Sequence, residues 1–192
     1  MPGIWYTSDP HFHHRLLADL RGFGSVDAHD SEIIRRWNKN VGPEDTVWVL
    51  GDIGMGNVNS YLGLASCLNG TKHLISGNHD EVWPGHRDAH KHMDLWLAVF
   101  ATIQPFARRK INGHEVLLSH FPYQGSGDHT ADERYTQYRL PDAGLWLLHG
   151  HTHQPERIRG REIHVGLDAW VLAPVNEGTI GKLIAGTEGT ER

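Results

Sequence analysis

The stretch "IWYTSDPH", residues 4–11, contains the pattern that decides the fold of this chain. It begins with a short run of apolar and β-favouring residues, which predicts a strand over Ile4–Thr7. The run ends at polar residues, and Pro10 biases the preceding Asp9 toward an extended conformation, as expected at a strand exit. A carboxylate and an imidazole, Asp9 and His11, therefore follow the strand directly.

Four later apolar runs end in the same way. They lie in "DTVWVLGD", "GTKHLISGNHD", "EVLLSH" and "LWLLHGHTH", and each is followed at once by residues that can bind a metal ion. Those residues are Asp52, Asn78 with His79 and Asp80, His120, and His151 with His153. In layered α/β folds, ligands bind outside the carboxyl ends of the strands. We therefore expect the five strand ends to converge on one site.

The segments between these strands predict helices first and hairpins later. A helix that begins at Ser25 or Asp27, and a second helix over "VNSYLGLASCL" with Cys67 in the core, separate the early strands. Hairpin turns are predicted at Asn112-Gly113 and at Gly160. Strands that alternate with helices and then form hairpins indicate a layered α/β domain with a mixed sheet.

The bulk composition is that of one folded domain. The 192 residues are 39% hydrophobic and 21% charged, which argues against an intrinsically disordered chain. We expect a single domain over residues 1–185. Small and charged residues dominate the remainder, so a disordered tail is predicted over residues 186–192.

Charge and apolar segments limit the partners and the compartment. The net charge of −5 argues against a surface for duplex nucleic acid or an anionic membrane. A small phosphate-containing substrate stays open, because a bound metal can supply positive charge locally. No apolar stretch approaches the ~18 residues of a membrane span, and the first residues do not resemble a signal peptide. With one cysteine and hence no intrachain disulfide, we expect a cytoplasmic protein.

The residues at the strand ends suit a pair of metal ions. Imidazole and carboxylate together bind Mn, Fe, Zn or Ni, and one aspartate can bridge two ions that lie ~3.5–4 Å apart. Taken singly, each motif has an ordinary structural explanation. Gly51-Asp52 is typical of a turn, and "GNHD" can be a turn with Asn78 in a left-handed conformation. Five such motifs, all at predicted strand ends, favour the metal site.

The ordered set "DPH", "GD", "GNHD", "SH" and "GHTH" resembles the calcineurin-like metallophosphoesterase superfamily over residues 4–175. The connecting text, such as "EDTVWVLGDIGMGN" and "LNGTKHLISGNHDEVW", looks like the small bacterial and bacteriophage phosphoesterases of that superfamily. The resemblance implies a layered α/β/β/α sandwich with mixed sheets and a metal site at the carboxyl ends of the strands.

The resemblance also implies a role for each motif residue. It implies that one metal is held by Asp9, His11, Asp52 and His153, and a second metal by Asp52, Asn78, His120 and His151, with Asp52 as the bridge. His79 would be the catalytic histidine, and Asp80 would orient it. The implied cofactors are two divalent transition-metal ions, with Mn as the first expectation and Fe, Zn, Ni or Co as alternatives.

The sequence also departs from the pattern of the relatives. His13 stands where relatives often have glycine, so it either faces solvent or enters the site. His14 is predicted to lie near the phosphate or to cap the next helix. The stretch "GDIGMGN" lacks the aspartate and arginine of the protein-phosphatase form, which weakens a reading as a phosphoprotein phosphatase.

The hypothesis from sequence is metal-dependent hydrolysis of a small phosphoester, preferably a nucleotide-sized phosphodiester or a cyclic nucleotide. A hydroxide shared by the two metals would attack phosphorus in line. The polar residues 123–144 form an active-site lid or a solvated loop. In the lid interpretation, Arg134 or Arg139 binds phosphate and Tyr135 or Tyr138 stacks on a base.

Other functions are carried as alternatives. They are a non-catalytic scaffold on the same fold, a phosphomonoesterase, a nuclease, and a metal-storage or metal-sensing protein. The full set of motif residues argues against the scaffold, and the missing basic stripe argues against a nuclease on long DNA. The oligomeric state is left open by the sequence.

Overall fold

The computed structural model describes residues 2–125 and 133–190, the last three by their backbone alone. The strands are β1 (Ile4–Thr7), β2 (Thr46–Val49), β3 (Thr71–Ile75), β4 (Thr102–Gln104), β5 (Phe106–Ile111), β6 (His114–Ser119), β7 (Trp146–His149), β8 (Ile158–Arg159), β9 (Glu162–His164) and β10 (Val175–Asn176). The α-helices are α1 (Arg15–Leu20), α2 (Val26–Asn40), α3 (Val58–Ser66), α4 (Met93–Leu97) and α5 (Glu177–Thr190). Short 3₁₀ turns lie at Ala89–Lys91, Thr136–Tyr138 and Leu167–Ala169.

The strands form two mixed five-stranded sheets. The first has the order β10-β1-β2-β3-β4, in which β1 to β4 are parallel and β10 is antiparallel to β1. The second has the order β5-β6-β7-β9-β8, in which β6, β7 and β9 run parallel. Parallel neighbours end at the same edge of a sheet, so the loops after β1, β2 and β3 lie side by side. The loops after β6 and β7 do the same in the second sheet.

Alternating side chains of the first sheet fill two apolar cores. In β2, Val47 and Val49 face the helices, where Trp37 of α2 and Trp96 of α4 are fully buried against them. Trp48 points the other way, into the space between the two sheets. Burying side chains of this size stabilises the fold by ~1.5–3 kcal/mol each. The first sheet is therefore covered on both faces, which explains its nearly continuous apolar strands.

The last helix joins the core between the sheets. Ile180 and Ile184 of α5 are fully buried there, and α5 packs against β1, β5 and β10. The layered sandwich with mixed sheets that the sequence predicts is thus confirmed, with α5 lying across the edges of both sheets. Within the described ranges, the helices are too short or too polar to span a lipid bilayer.

Two predictions from the sequence differ from the structure. Cys67 was expected in the core, but α3 ends at Ser66 and Cys67 is exposed at its C-cap, while the next residue, Leu68, is buried instead. The disordered tail predicted from residue 186 is helical as far as Thr190. Ile184 anchors this end of α5 in the core, and Thr187 Oγ1 donates a hydrogen bond to the carbonyl oxygen of Leu183.

Most local predictions are confirmed. Ser25 is the cap of α2, since its Oγ accepts a hydrogen bond from the Ala28 amide. Asn112-Gly113 has φ angles of 50° and 89° and joins β5 to β6, as a two-residue hairpin turn requires. The hairpin at Gly160 joins β8 to β9. The predicted lid lies partly outside the described residues.

Candidate metal centre

The loops that follow the parallel strands are tied together by their own backbones. The amide of Asp9 donates to Gly51 O at 3.0 Å, and the amide of His11 donates to Asp52 O at 3.1 Å. From the second sheet, the amide of His151 donates to Asp9 Oδ2 at 3.0 Å. A Cβ at Gly51, whose φ is 90°, would collide with the backbone nitrogen of Gly77. Only glycine therefore allows the loops after β2 and β3 to come so close.

Five of the seven predicted metal ligands have an unusual backbone conformation. Asp9, His11, Asp52, His151 and His153 have φ angles of 60°, 49°, 57°, 70° and 52°. A residue with a side chain in this left-handed region costs roughly 1–2 kcal/mol, and such strain collects at functional sites. The extended conformation predicted for Asp9 is wrong, because its backbone turns where the amide meets the loop after β2. These turns aim the side chains at one another.

Six of the predicted ligands form two clusters. The first cluster consists of Asp9, His11 and His153, and the second cluster consists of Asp52, His120 and His151. In each cluster the candidate ligand atoms lie within 4.8 Å of one another. Asp52 Oδ2 lies 3.7 Å from His11 Nε2 and 3.4 Å from His120 Nε2, so it touches both clusters. Asp52 is therefore in the position that a bridging ligand requires.

The hydrogen bonding of the clusters fits bound cations. Among the described residues, Asp9 Oδ1, Asp52 Oδ2 and both ring nitrogens of His11 are buried without a hydrogen-bond partner. Leaving such a group unsatisfied costs about 1–3 kcal/mol, more when it is charged. A cation coordinated by these atoms would remove that cost. Imidazoles with carboxylates, without a thiolate, are the donor set of Mn, Fe, Zn or Ni.

His120 of the second cluster is oriented by the backbone. Its Nδ1 lies 2.6 Å from Leu50 O, which can only accept, so Nδ1 carries the proton and Nε2 faces the cluster. Asn78 Oδ1 lies 3.2 Å from the same Nε2, so the Asn78 side chain lies beside this cluster. The backbone carbonyl oxygen of Asn78 lies 3.0 Å from His86 Nε2.

Burial and neighbouring charges set the protonation of the ligands. Burial lowers the pKa of His11 well below its ordinary value and that of His151 to about 2, so both are neutral imidazoles. Burial alone would raise the pKa of Asp52 and lower that of His120. Their mutual attraction outweighs it, so the pKa of Asp52 falls well below its usual range and that of His120 rises to about 10. His120 must therefore release a proton when a cation binds.

His79 lies beside both clusters without being enclosed by them. Its amide donates to Asp52 Oδ1 at 2.9 Å, and its Nε2 is 4.0 Å from Asp52 Oδ2. Its side chain is 32% exposed, whereas that of His11, with a ring centroid 5.4 Å away, is 2% exposed. The imidazole of His79 can therefore reach a substrate that enters from solvent.

Asp80 differs from its predicted role. Its carboxylate accepts hydrogen bonds from the amides of Gly77, Asp52 and Ile53 at 2.8, 3.1 and 2.9 Å. Both oxygens are thus used by backbone groups, and Asp80 fastens the loop after β3 to the loop after β2 rather than orienting His79. Burial, followed by the charge of Asp52, raises the pKa of Asp80 to about 7.

The predicted substrate residues line a cavity of about 200 Å³ at the first cluster. Its lining includes His14, Leu16, His79, Arg134 and Tyr135. The guanidinium of Arg134 lies over the ring of Tyr135, 5.0 Å from its centroid. His14 also caps α1, since its Nδ1 accepts from the Leu17 amide at 3.3 Å, so both of its predicted roles are compatible.

The other residues proposed for the lid have structural contacts. Arg139 donates to the carbonyl oxygens of Gly125 and Arg134, and Tyr138 packs on Trp83 with ring centroids 4.7 Å apart. Residues 126–132 of the predicted lid lie outside the described part of the chain.

His13 belongs to neither cluster. Its amide donates to Asp30 Oδ2, and its ring, 30% exposed, lies beside the same carboxylate.

Two residues outside the sequence motifs, Arg21 and Asp168, contact the first cluster. Asp168 Oδ2 lies 3.1 Å from Nδ1 of His153, and Arg21 donates two hydrogen bonds of 2.8 Å to the Asp168 carboxylate. Burial alone would raise the pKa of Asp168, but the hydrogen bonds from Arg21 and His153 outweigh it and lower that pKa far below its usual range. Neither residue lies in a motif, and only its spatial position reveals it.

Comparisons with known proteins agree with this geometry. The calcineurin-like phosphoesterase superfamily domain matches residues 22–189, a range that begins after Asp9 and His11. The "Gene 66 protein" of Mycobacterium phage L5 is 44% identical, covering 88% of each chain. The protein of the same name from phage D29 is 45% identical, covering 92% of this chain and 94% of its own. A solved structure from Aquifex aeolicus, of a protein of unknown function, has a TM-score of 0.69 at 26% identity and covers 95% of this chain and 100% of its own.

Proposed function

Because the chain belongs to the calcineurin-like phosphoesterase superfamily, we propose that it hydrolyses phosphoesters with the help of two divalent cations. Nucleotide-sized phosphodiesters, including cyclic nucleotides, are the preferred substrates in this proposal. One observation carries it. Two clusters of buried ligand atoms meet at the carboxylate of Asp52. In the described part of the chain, Asp9 Oδ1, both ring nitrogens of His11 and Asp52 Oδ2 have no hydrogen-bond partner.

The first cluster would hold one cation and the second cluster the other, with Asn78 as a further ligand of the second and Asp52 shared by both. When bound, the cations would supply a water of lowered pKa for in-line attack and positive charge for the phosphate oxygens. Mn is the first ion to test. The residues of this chain fix the ligands, since left-handed backbones at Asp9, His11 and Asp52 aim the side chains before a cation arrives.

His79 is the residue proposed to act on the leaving group. Its partly exposed ring lies next to Asp52, and it lines the same cavity as Arg134 and Tyr135. A protonated imidazole in this place can donate to the oxygen that leaves phosphorus, and general-acid catalysis of this kind contributes typically 10²–10⁴-fold. In this proposal Asp80 acts through the loops that it fastens and does not contact the substrate.

The cavity at the first cluster supports a small substrate. Its volume of about 200 Å³ lies below the 300–1,000 Å³ that ligand pockets typically have. A phosphate with a short ester group fits inside, and a larger group would extend over Leu16, which is 55% exposed. The Arg134 guanidinium supplies a cation for a second phosphate oxygen, and the Tyr135 ring supplies a face on which a base can stack.

The experiment is a substrate panel with controlled metal content. Protein stripped by a chelator is assayed with phosphomonoesters, phosphodiesters, and 2′,3′- and 3′,5′-cyclic nucleotides, before and after Mn²⁺ is added. We expect turnover only with added metal and faster turnover of diesters. The D52N variant, purified in parallel, controls for contaminating hydrolases.

Three of the alternative functions have their own outcomes. Faster turnover of monoesters would favour a phosphomonoesterase, and cleavage of single-stranded DNA, added to the panel, without turnover of the small substrates would favour a nuclease. Protein that binds two ions and turns over nothing would be the scaffold. Full activity in the metal-free protein would overturn the proposal.

A further inference from the structure

We infer that Arg21 and Asp168 are positioning residues for the first cluster, and that their partly buried ion pair controls the cation affinity of this cluster selectively. The inference rests on the proposed function, since it assigns these two residues to one of the two proposed cation sites.

The guanidinium of Arg21 has every one of its donors occupied. Nε and Nη2 each donate at 2.8 Å to the carboxylate of Asp168, in a two-pronged contact. Nη2 also donates to Asp9 O at 2.9 Å, and Nη1 donates to Pro10 O at 3.2 Å. The fifth N–H, on Nη1, points to His29 Nε2 at 3.0 Å. Arginine offers five donors in a fixed planar fork, and all five are used here.

These contacts join the two chain segments that build the first cluster. Asp9 and Pro10 belong to the loop after β1, whose carboxylate and imidazole are two of the three ligands. Asp168 Oδ2 accepts from Nδ1–H of His153, the third ligand, and so holds that ring in one orientation and one tautomer. Arg21 therefore sets the backbone of one ligand segment and, through Asp168, the ring of the ligand from the other segment.

A second branch fixes Arg21 itself. Arginine can only donate, so His29 Nε2 accepts and its Nδ1–H donates to Asp30 Oδ1 at 2.7 Å. Asp30 Oδ2 accepts the amide of His13, two residues after His11. The side chains of Arg21 and His29 are 4% and 0% exposed, so the guanidinium has no alternative partners in water. The network thus holds the loop after β1 at both ends.

Substitutions of Asp168 and of Arg21 should have unequal effects on the first cluster, because they leave different charges behind. In the wild-type chain Asp168 neutralises Arg21, and the pair adds little net charge beside the cluster. Without the Asp168 charge, His153 keeps at most a neutral amide oxygen as its acceptor, and an uncompensated guanidinium repels a cation. With lysine in place of Arg21 the charge is kept, but three mobile donors cannot reproduce five contacts in a plane. We expect Asp168→Asn to have the larger effect and Arg21→Lys a smaller effect on the same site.

The second cluster is oriented by different groups. His120 is fixed by the carbonyl oxygen of Leu50, and the Asp52 and Gly77 amides are fixed by Asp80. None of these contacts involves Arg21 or Asp168. Loss of the ion pair should therefore weaken one cation site and spare the other.

The test is a cation titration of the metal-free protein, followed by calorimetry and by electron paramagnetic resonance of Mn²⁺. Wild-type protein should bind two ions and show a spin-coupled pair. Asp168→Asn should keep one site within about threefold and weaken the other by 10–100-fold, the range typical for partners of metal ligands. The remaining signal should be that of a single Mn²⁺ ion in the second cluster. It should match the signal of His153→Ala, which loses a ligand of the first cluster, and differ from that of His151→Ala, which loses a ligand of the second.

Controls separate this role from a general effect on folding. Arg15→Lys and Asp19→Asn alter an exposed ion pair of 2.9 Å on α1, the helix whose C-cap is Arg21. Both substitutions should leave both cation sites unchanged. The melting temperature of each metal-free variant reports folding, and Arg21→Lys provides a milder variant if Asp168→Asn does not fold. Two unchanged sites, or two sites weakened equally, would overturn the inference while the proposed function stands. Wild-type protein that binds no ion would overturn both.

Discussion

The two clusters differ in what orients their ligands. In the second cluster, His120 is fixed by a backbone carbonyl, and the Asp52 loop is fixed by backbone amides that bind Asp80. In the first cluster, His153 is fixed by the charged side chain of Asp168, which Arg21 holds in turn. The ring of His120 in the second cluster is therefore oriented by a backbone group at a strand end. The ring of His153 in the first cluster depends on side chains that a single substitution can remove.

Backbone groups and side-chain ion pairs give the two candidate cation sites different properties. Backbone groups at strand ends cannot change without a change of fold, so they give a geometry that tolerates substitutions nearby. A side-chain ion pair is more easily lost, but it can tune the affinity of one site independently of the other. We expect the second cluster to be the more robust cation site of the two.

We expect the largest effect from Asp52→Asn, which should disturb both cation sites at once because Asp52 touches both clusters. A neutral amide in place of the shared carboxylate should cost at least one ion. Each 1.36 kcal/mol of lost transition-state stabilisation is tenfold in rate, and several kcal/mol are at stake, so we expect a loss on the order of 10³-fold or more. Metal content and turnover are measured on the same preparation. Two retained ions with wild-type turnover would show that the bridge lies elsewhere.

His79→Ala tests whether His79 takes part in the chemical step without holding a cation in either cluster. Because His79 Nε2 is 4.0 Å from Asp52 Oδ2 and its ring is partly exposed, both ions should stay while turnover falls on the order of 10²–10⁴-fold. The loss should be larger for alkoxide leaving groups than for nitrophenolates, which leave without a proton. Turnover is compared over such a substrate series, with metal content measured alongside. An ion lost from the variant would make His79 a ligand, and an equal loss for all leaving groups would remove its role as an acid.

Asp80→Asn tests the contacts that fasten the loop after β3 to the loop after β2. The amide group of asparagine cannot accept all the hydrogen bonds from Gly77, Asp52 and Ile53. We expect the free energy of unfolding of the metal-free protein to fall by about 1–3 kcal/mol, measured by urea denaturation. The leaving-group dependence of turnover should stay that of the wild type, because Asp80 does not orient His79. A leaving-group pattern like that of His79→Ala would restore the role that the sequence predicts.

The smallest effect is expected from Arg134→Ala, which lies beyond both clusters on the cavity wall. Arg134 is exposed, so its contact with a phosphate should contribute about 1 kcal/mol or less. The KM for a nucleotide diester should rise by about threefold to fivefold, with both ions and kcat unchanged. The matched control is Arg15→Ala, an exposed arginine on α1. Equal KM values for the variant and the wild type would remove Arg134 from the substrate site.

The sequence predicts the second cluster better than the first. Each ligand of the second cluster follows an apolar strand, and parallel strands bring their ends to one edge whatever the loops contain. The same rule finds Asp9, His11 and His153. It cannot find Arg21 or Asp168, since they come from a helix end and a 3₁₀ turn that meet only after the sheets have packed.

Other differences between the predictions from sequence and the structure have local causes. Asp80 lies next to His79 in the chain, but the carboxylate turns to the amides of a neighbouring strand end, which no local pattern encodes. Cys67 fits the helical period, yet α3 ends one residue before it and the chain turns away. Small polar residues near the carboxyl end predict disorder, and the buried Ile184 overrides them.

The hydrogen bond between the His151 amide and the Asp9 carboxylate spans 142 residues, and it has a consequence for synthesis on the ribosome. The chain emerges with Asp9 first, and neither cluster is complete until the loop that carries His151 and His153 has been translated. The two clusters then become complete within two residues of each other. A cation therefore cannot guide the early folding of the nascent chain, and contacts of such long range form late. The second cluster gains its last residue with His151 and the first with His153, so the stage at which translation leaves one cluster complete and the other still missing a residue lasts for only two residues.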